Sequence, residues 1–333
     1  MSNQNISTIP NRVTSPVNID CEKENLLVWS GPATLGRGAG ESPGNGKIEL
    51  SFFRRPKFTF DHDNPDLQES QFADLVEMSE DSNREAEIEF EDFPGSHATV
   101  ISRTTWKHHS GELVSSKKQS SQIGITSAKF LVINGPTLRG EAIRSGGALY
   151  VGRLRCKLDD FTLTLDKLPS CEIPKEKHFR VTHVVEIKFS KPTPACEIAA
   201  IHDVLFFCLS FSYGRWVGLA GPWAYREENL VEFVPYVTKT SSLGVSHTWS
   251  ETSITNIFEK LFLAVFLQVK DKSRIHAIRA GIHWSVESSL CAGGIEGAII
   301  LQQAGMEAIA WHDLVQSKRL YTANQFKQSF KTA

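Results

Sequence analysis

The sequence lacks paired cysteines, a long apolar run and an excess of charge of either sign. Its six cysteines, Cys21, Cys156, Cys171, Cys196, Cys208 and Cys291, never stand as Cys-x-x-Cys. That removes the short-spaced ligand sets of structural zinc and of thioredoxin-like redox chemistry. Cys208 and Cys291 lie in apolar stretches that read as helix, where cysteine is expected as a small buried hydrophobe. The N-terminus, MSNQNISTIPNRVTSP, has no apolar h-region of a secretory signal. The greasiest stretch, Ile257 to Val269, is about 13 residues long and holds Glu259 and Lys260, too short and too polar to cross a bilayer. Reduced thiols without a leader make the cytoplasm the expected compartment, with no membrane partner. A formal net charge of −2 sets up no field that would draw in nucleic acid, so net charge gives nucleic-acid binding no support.

Complete catalytic and cofactor motifs are also missing. A P-loop around Gly46-Lys47 would need Ser or Thr at position 48 and Gly at position 41, where the chain has Ile48 and Glu41. Gly36-x-Gly38-x-Gly40 is too short for a dinucleotide fingerprint and no helical pattern follows it. Gly244-Val245-Ser246-His247-Thr248 lacks the second glycine of a nucleophile elbow. The glycine-rich stretch GPATLGRGAGESPGNGK therefore reads as a flexible loop, and neither a metal nor a cofactor is expected.

What is present is a change of character near residue 250. With 333 residues, 41% hydrophobic and 22% charged, the chain is long enough for two packed units. Residues 1–24 are polar and proline-bearing and read as a disordered arm. From 25 to 250 short β patterns dominate: Lys47 to Phe53, Glu85 to Glu91, Ala148 to Leu158, and Phe161 to Leu165 with Phe161, Leu163 and Leu165 alternating against threonines. Phe179 to Phe189 reads as a strand with Val181, His183, Val185, Ile187 and Phe189 on one face. His108 to Ser121 reads as a long loop or an insert, and Pro65 to Glu80 as a short helix. One helix, Ala195 to Ser212, interrupts the strands and is expected to cover the sheet. The fold class is α+β, a mostly antiparallel body followed by a helical bundle over 251–333. Its helices are expected at Thr252 to Val269 (with Ser250 or Thr252 as cap), Lys272 to Ser288, Ile295 to Ser317, and from Asn324 onward. The third, GAIILQQAGMEAIAW in its middle, is apolar nearly all round and is expected to be buried between other helices.

Two sets of residues could carry function. His276, Arg279, His283 and Glu287 follow one another at +3, +4 and +4, along one stripe of a helix beside the apolar stripe Ile275, Ile278, Ile282 and Val286. Arginine, two histidines and a carboxylate can bind an anion or act as an acid–base pair near neutral pH, and the plain alternative is a helix face held by ion pairs. Glu296, Gln303 and Glu307 share a face of the next helix. In the body, Trp216 and Trp223 stand in an aromatic cluster that could stack on a nucleotide or sugar, against the plain reading of core.

The segment from Arg279, RAGIHWSVESSLCAGGIEGAIILQQAGMEAIAWHDLV, resembles a group of uncharacterised bacterial proteins in which a β-rich region precedes a helical domain similar to the HEPN superfamily. The matching features are Ala-x-x-His-Trp over Ala280 to Trp284 and a long apolar helix bearing Glu307 before a tryptophan. The resemblance implies an intracellular helical module that pairs through its helices, in active relatives a metal-independent RNA-cleaving one, sometimes within antiviral defence. Active HEPN domains use Arg-x(4–6)-His near the start of their last helix. Here Arg279-x3-His283 is one residue short and lies on an earlier helix, so no catalytic residue is carried over and the bundle is expected to be incomplete. The expected function is recognition or assembly, as a homo-oligomer through the C-terminal helices. An RNase-like enzyme using the His276 stripe and a nucleotide- or carbohydrate-binding body are the alternatives.

Overall fold

A computed structural model of the chain describes residues 9–19, 25–36, 42–52, 56–62, 85–90, 96–104, 108–116, 124–136, 140–168, 179–242, 257–269, 272–291 and 294–331. The expected helix at 65–80 and the capping residues Ser250 and Thr252 lie outside these.

Strict alternation builds the first unit, a closed six-stranded barrel. Its strands are β1 (Asn25–Gly36), β2 (Ser42–Ser51), β3 (Lys57–His62), β4 (Glu85–Phe90), β5 (Ser96–Thr104) and β6 (His108–Ser116), in the spatial order β1-β2-β3-β6-β5-β4 with every pairing antiparallel. Leu26, Leu35, Ile48, Leu50, Phe58, Phe60 and Ile88 are buried in one cluster inside it. Two sequence expectations are corrected here. The described parts of the glycine-rich stretch are strand, Gly31 to Gly36 in β1 and Ser42 to Lys47 in β2, with Ser42, Gly44, Gly46, Ile48 and Leu50 of β2 alternately buried. Its glycines make room for rings: a Cβ on Gly44 would lie 2.6 Å from Phe60, and one on Gly46 3.2 Å from Phe90. The segment expected as a loop from His108 is strand β6, paired on both sides.

The second unit is a seven-stranded antiparallel sheet. In chain order it comprises β7 (Ile125–Ile133), β8 (Glu141–Ser145), β9 (Ala148–Lys157), β10 (Phe161–Lys167), β11 (Val181–Thr193), β12 (Gly218–Arg226) and β13 (Asn229–Phe233), arranged β13-β12-β7-β11-β10-β9-β8. Both of its faces are apolar. Ala128, Phe130 and Val132 of β7 point to one side, where helix α1 (Ala195–Tyr213) packs. Leu131 and Ile133 point to the other and join Val184, Ala220, Trp223 and Phe233 in the cluster that includes the barrel interior. A register shift between Val181 and His183 breaks the single face expected for β11: Val181 packs on the barrel side, Val185 and Ile187 under α1.

Helix α1 follows Pro194 and ends at Gly214, in the left-handed conformation at φ 68°. There the Gly214 N–H donates to Phe211 O and the Arg215 N–H to Ser210 O, a glycine-terminated helix end. This 19-residue helix is apolar and long enough to cross a membrane by composition, a longer stretch than the one the sequence singled out. Its buried residues Ile198, Ile201, Val204, Leu205, Cys208 and Leu209 cover the sheet instead. Helix α2 (Ile257–Val269) sends Phe258, Phe262 and Phe266, one per turn, into the same core, with Phe266 5.2 Å from Phe161. The remaining elements are α3 (Lys272–Ser289), α4 (Gly294–Trp311), a π-helical turn (His312–Ser317) and α5 (Ala323–Lys331). Helix α2 thus packs into the core of the body. Of the two cysteines expected in apolar helix, Cys208 is buried, whereas Cys291 is exposed just past α3.

Residues 9–19, expected as part of a loose arm, run along the sheet. Buried Arg153 donates from Nε to Asp166 Oδ1 (2.7 Å) and from Nη2 to Asp166 Oδ2 (2.6 Å). The same Nη2 donates to Asn11 O at 2.8 Å, and the Val13 N–H donates to Asp166 Oδ2 at 2.7 Å. The Arg12 N–H donates to Arg144 O and the Arg144 N–H to Pro10 O, so the segment also covers edge strand β8. Removing one partner of such a pair leaves a buried charge uncompensated. Asp166→Ala is expected to lower unfolding free energy by about 3–5 kcal/mol, read from the urea midpoint. A loss below about 1 kcal/mol, the range of ordinary surface changes, would refute this role.

Candidate functional site

Helix α3 carries the polar stripe singled out from sequence, and the structure splits it. Its apolar residues Ile278, Ile282 and Val286 pack with Trp216, Phe206, Phe207 and Phe211 of the body. Arg279, His283 and Glu287 close over that contact. Arg279 pairs with Asp203 of α1, its guanidinium 6.0 Å from the Phe207 ring centre. Glu287 Oε1 accepts hydrogen bonds from Trp216 Nε1 (2.8 Å) and Lys239 Nζ (2.7 Å). The Lys239 ammonium also stands 4.7 Å from the Trp216 ring centre, with the His283 ring at 5.4 Å. Partial burial works against the charge of Glu287, but the bonds from Lys239 and Trp216 outweigh it and hold the carboxyl below its usual range.

His276 stands apart from the other three. It is exposed and lines a groove of about 430 Å³ with Glu307, Trp311, His312 and Phe326. His312 opens the π-helical turn, is 6% exposed, and its Nε2 has no hydrogen-bond partner. Sequence periodicity missed His312 because the run Trp311-His312-Asp313-Leu314-Val315 continues a helical pattern. Asp203 and Lys239 were missed because each finds its partner across more than 45 residues. Among the described residues, no three of His, Cys, Asp and Glu come together as a metal-binding group.

The two tryptophans proposed for ligand stacking are 3% and 1% exposed. Trp216 stacks on Phe206 at 5.5 Å, and Trp223 lies 5.0 Å from Phe233 in the barrel-side core. Neither ring presents a face to solvent. The deepest histidine, His183, is pushed down to about 3 by burial and stays neutral.

Helix α4 departs furthest from expectation. Instead of being buried all round, it buries only Gly305. On its inward side Gly305 lies against Gly281 of α3, where a Cβ would come within 3.1 Å of Gly281 O and of Trp284 Cβ, and the Ile309 side chain packs over Gly281 beside it. The Ser288 hydroxyl donates to Ala298 O across the same contact at 2.7 Å. Four of its large residues point outward, with Ile295 74%, Ile299 62%, Ile300 64% and Met306 65% exposed.

Two family models match this chain. Residues 120–236 match the YopA central domain, and residues 271–333 match the YopA C-terminal domain. Over these two stretches the chain is similar to YopA. It is also similar to the SPbeta prophage-derived uncharacterized protein YopA of Bacillus subtilis (strain 168), 23% identical over 231 residues that make up 67% of this chain and 52% of the relative. The match thus spans about half the length of that curated relative. No solved structure matches. The YopA central match takes in the seven-stranded sheet with α1, and the YopA C-terminal match takes in α3, α4, the π-helical turn and α5. The bonds Trp216–Glu287 and Arg279–Asp203 therefore form a joint between the two matched stretches, with Lys239, just past the first, bonded to the same carboxylate.

This joint carries a pH signature. Since the Glu287 pKa is lowered on folding, its stabilisation is complete above about pH 4.5, the usual value, and is lost as pH falls through the lowered one. Glu287→Gln is expected to flatten the stability profile below pH 4.5 while leaving the decline that starts near pH 6.5, where buried His183 resists protonation. Thermal melts between pH 3 and 7 read this directly; two superimposable profiles would remove Glu287 from the joint.

Proposed function

We propose that this YopA-like chain is a non-catalytic recognition and assembly protein: a rigid β-rich body that presents the outer face of α4 to another protein. The observation behind this reading is the outer face of α4, where Ile295, Ile299, Ile300 and Met306 stand exposed while the helix buries only Gly305. Contiguous exposed apolar surface of this kind is characteristic of interaction sites. Likeness of the C-terminal helices to HEPN bundles, which pair through helices, belongs to the same reading. The joint residues speak for it as well, because Arg279, His283 and Glu287 are engaged in holding α3 to the body.

The expected consequence is separable from folding. Ile299→Asp with Met306→Asp should keep a cooperative thermal melt and lower the mass seen by light scattering. Should the native chain already be monomeric, the same variant should lose binding of a hydrophobic dye. A variant that no longer melts cooperatively would make the face part of the core and sink the reading.

An acid–base enzyme is the second reading, and one observation favours it: His276, His312 and Glu307 line the same groove. Incubation of the full chain with RNA in the absence of metal tests it. No cleavage, or cleavage that His276→Ala and His312→Ala leave untouched, ends that reading.

A further inference from the structure

We infer that the occupant of the α4 face is a second copy of this chain, packed against it in parallel about a two-fold axis. This rests on the reading of α4 as a recognition face and names its partner. Helix α4 is 18 residues long, about 27 Å at 1.5 Å per residue. Along the middle of its outward face run Ile299, Gln303, Met306 and Ala310, spaced four, three and four, the spacing of a coiled-coil seam. All four line one continuous apolar surface with Gln302 and Glu307.

The orientation follows from what flanks the seam. Ile295 and Gln302 lie on one side of it, Ile300 and Glu307 on the other. In a parallel pair, each flanking residue meets the one five positions further along the second copy. That sets Ile295 against Ile300 and Gln302 against Glu307, apolar beside apolar and an amide donor beside a carboxylate. On the seam itself Ile299, Gln303, Met306 and Ala310 each meet their own copy. Gln303 then supplies a neutral polar layer of the kind that fixes register in such pairs. An antiparallel pair would bring Ile300 beside Glu307, an apolar side chain against a charge. The one unfavourable meeting in the parallel pair is Glu296 with itself, and it falls in the first turn, where the positive ends of both helix dipoles offset it.

Charge narrows the occupant further. Helix α4 contains two glutamates and no lysine or arginine, so nothing on it calls for an acidic partner. Its central polar residues are the neutral Gln302 and Gln303, of which Gln303 meets its own copy across a two-fold and Gln302 meets Glu307. Because the Gly281–Gly305 contact holds α4 close to α3, two copies would meet as a four-helix layer of α3, α4 and their equivalents.

Disulfide trapping tests both partner and orientation. The full chain is made with Cys21, Cys171, Cys196 and Cys291 changed to Ser, and Ile299→Cys or Met306→Cys is added singly. Under mild oxidation each single variant is expected to run at twice the chain mass without reductant, and a mixture of the two to give no increase in cross-linked product. Cross-linking that appears only in the mixture would overturn the parallel arrangement. No cross-linking, together with a monomeric mass for the unmodified chain, would exclude a second copy. In that event, dye binding abolished by Ile299→Asp with Met306→Asp would leave the recognition reading standing with another partner, and no dye binding at all would end both.

Discussion

A sheet that is apolar on both faces must be covered twice, and that requirement organises the whole molecule. The seven-stranded sheet sends Phe130 and Val132 of β7 one way and Leu131 and Ile133 the other. A half-solvated antiparallel sheet would show polar residues on one of those faces. Here α1 and the phenylalanines of α2 cover the first face, and the second shares a continuous core with the barrel. Central-strand residues buried on both sides contribute roughly 1.5–3 kcal/mol each relative to exposure, which makes this sheet the dominant store of hydrophobic free energy. The barrel and the helices are positioned by it.

The same logic explains why the C-terminal helices are held by a polar joint. With the sheet already covered, α3 meets the body at the aromatic ridge Phe206, Phe207, Phe211 and Trp216. That ridge contains an indole N–H, and a buried indole donor without a partner would be costly. Glu287 supplies the acceptor, and Lys239 neutralises Glu287 in turn. The joint thus follows from burying Trp216, and a stripe that looks catalytic in sequence takes on a positioning task. His276, one turn before Arg279 and facing away from the joint, is left for the groove beside the π-helical turn.

Much of this was legible in the sequence, and the failures share physical causes. Alternation of Phe161, Leu163 and Leu165 against threonines gave β10 because only one kind of side chain fits each face. Helix α3 was placed to within one residue, since its Ile275, Ile278, Ile282 and Val286 keep helical spacing without breakers. The glycine-rich part of β2 was missed because Ser42, Gly44 and Gly46 alternate in size rather than hydropathy: their interior positions are filled by Phe60 and Phe90 reaching across. The clamp on residues 9–19 depends on Arg153 and Asp166, two ordinary charges in sequence that pair only when β9 lies beside β10. Pairings of that kind leave no local trace.

Helix α4 shows the limit of hydropathy most directly. Counting apolar residues around its circumference predicts burial on every side, yet the count does not distinguish Ala and Gly from Ile and Met. Small residues set how near two helices approach; large ones set how much surface is lost to water. A helix that sets Gly305 and Ile309 against its neighbour and keeps Ile295, Ile299, Ile300 and Met306 outside gains close packing within the chain and retains much of its hydrophobic driving force. Had α4 evolved only to finish the fold, exchanging the two faces would bury more area at no cost in composition. Under the proposed pairing, the larger burial happens in a second step, on a surface that α3, bonded to the body through Trp216 and Glu287, holds in place.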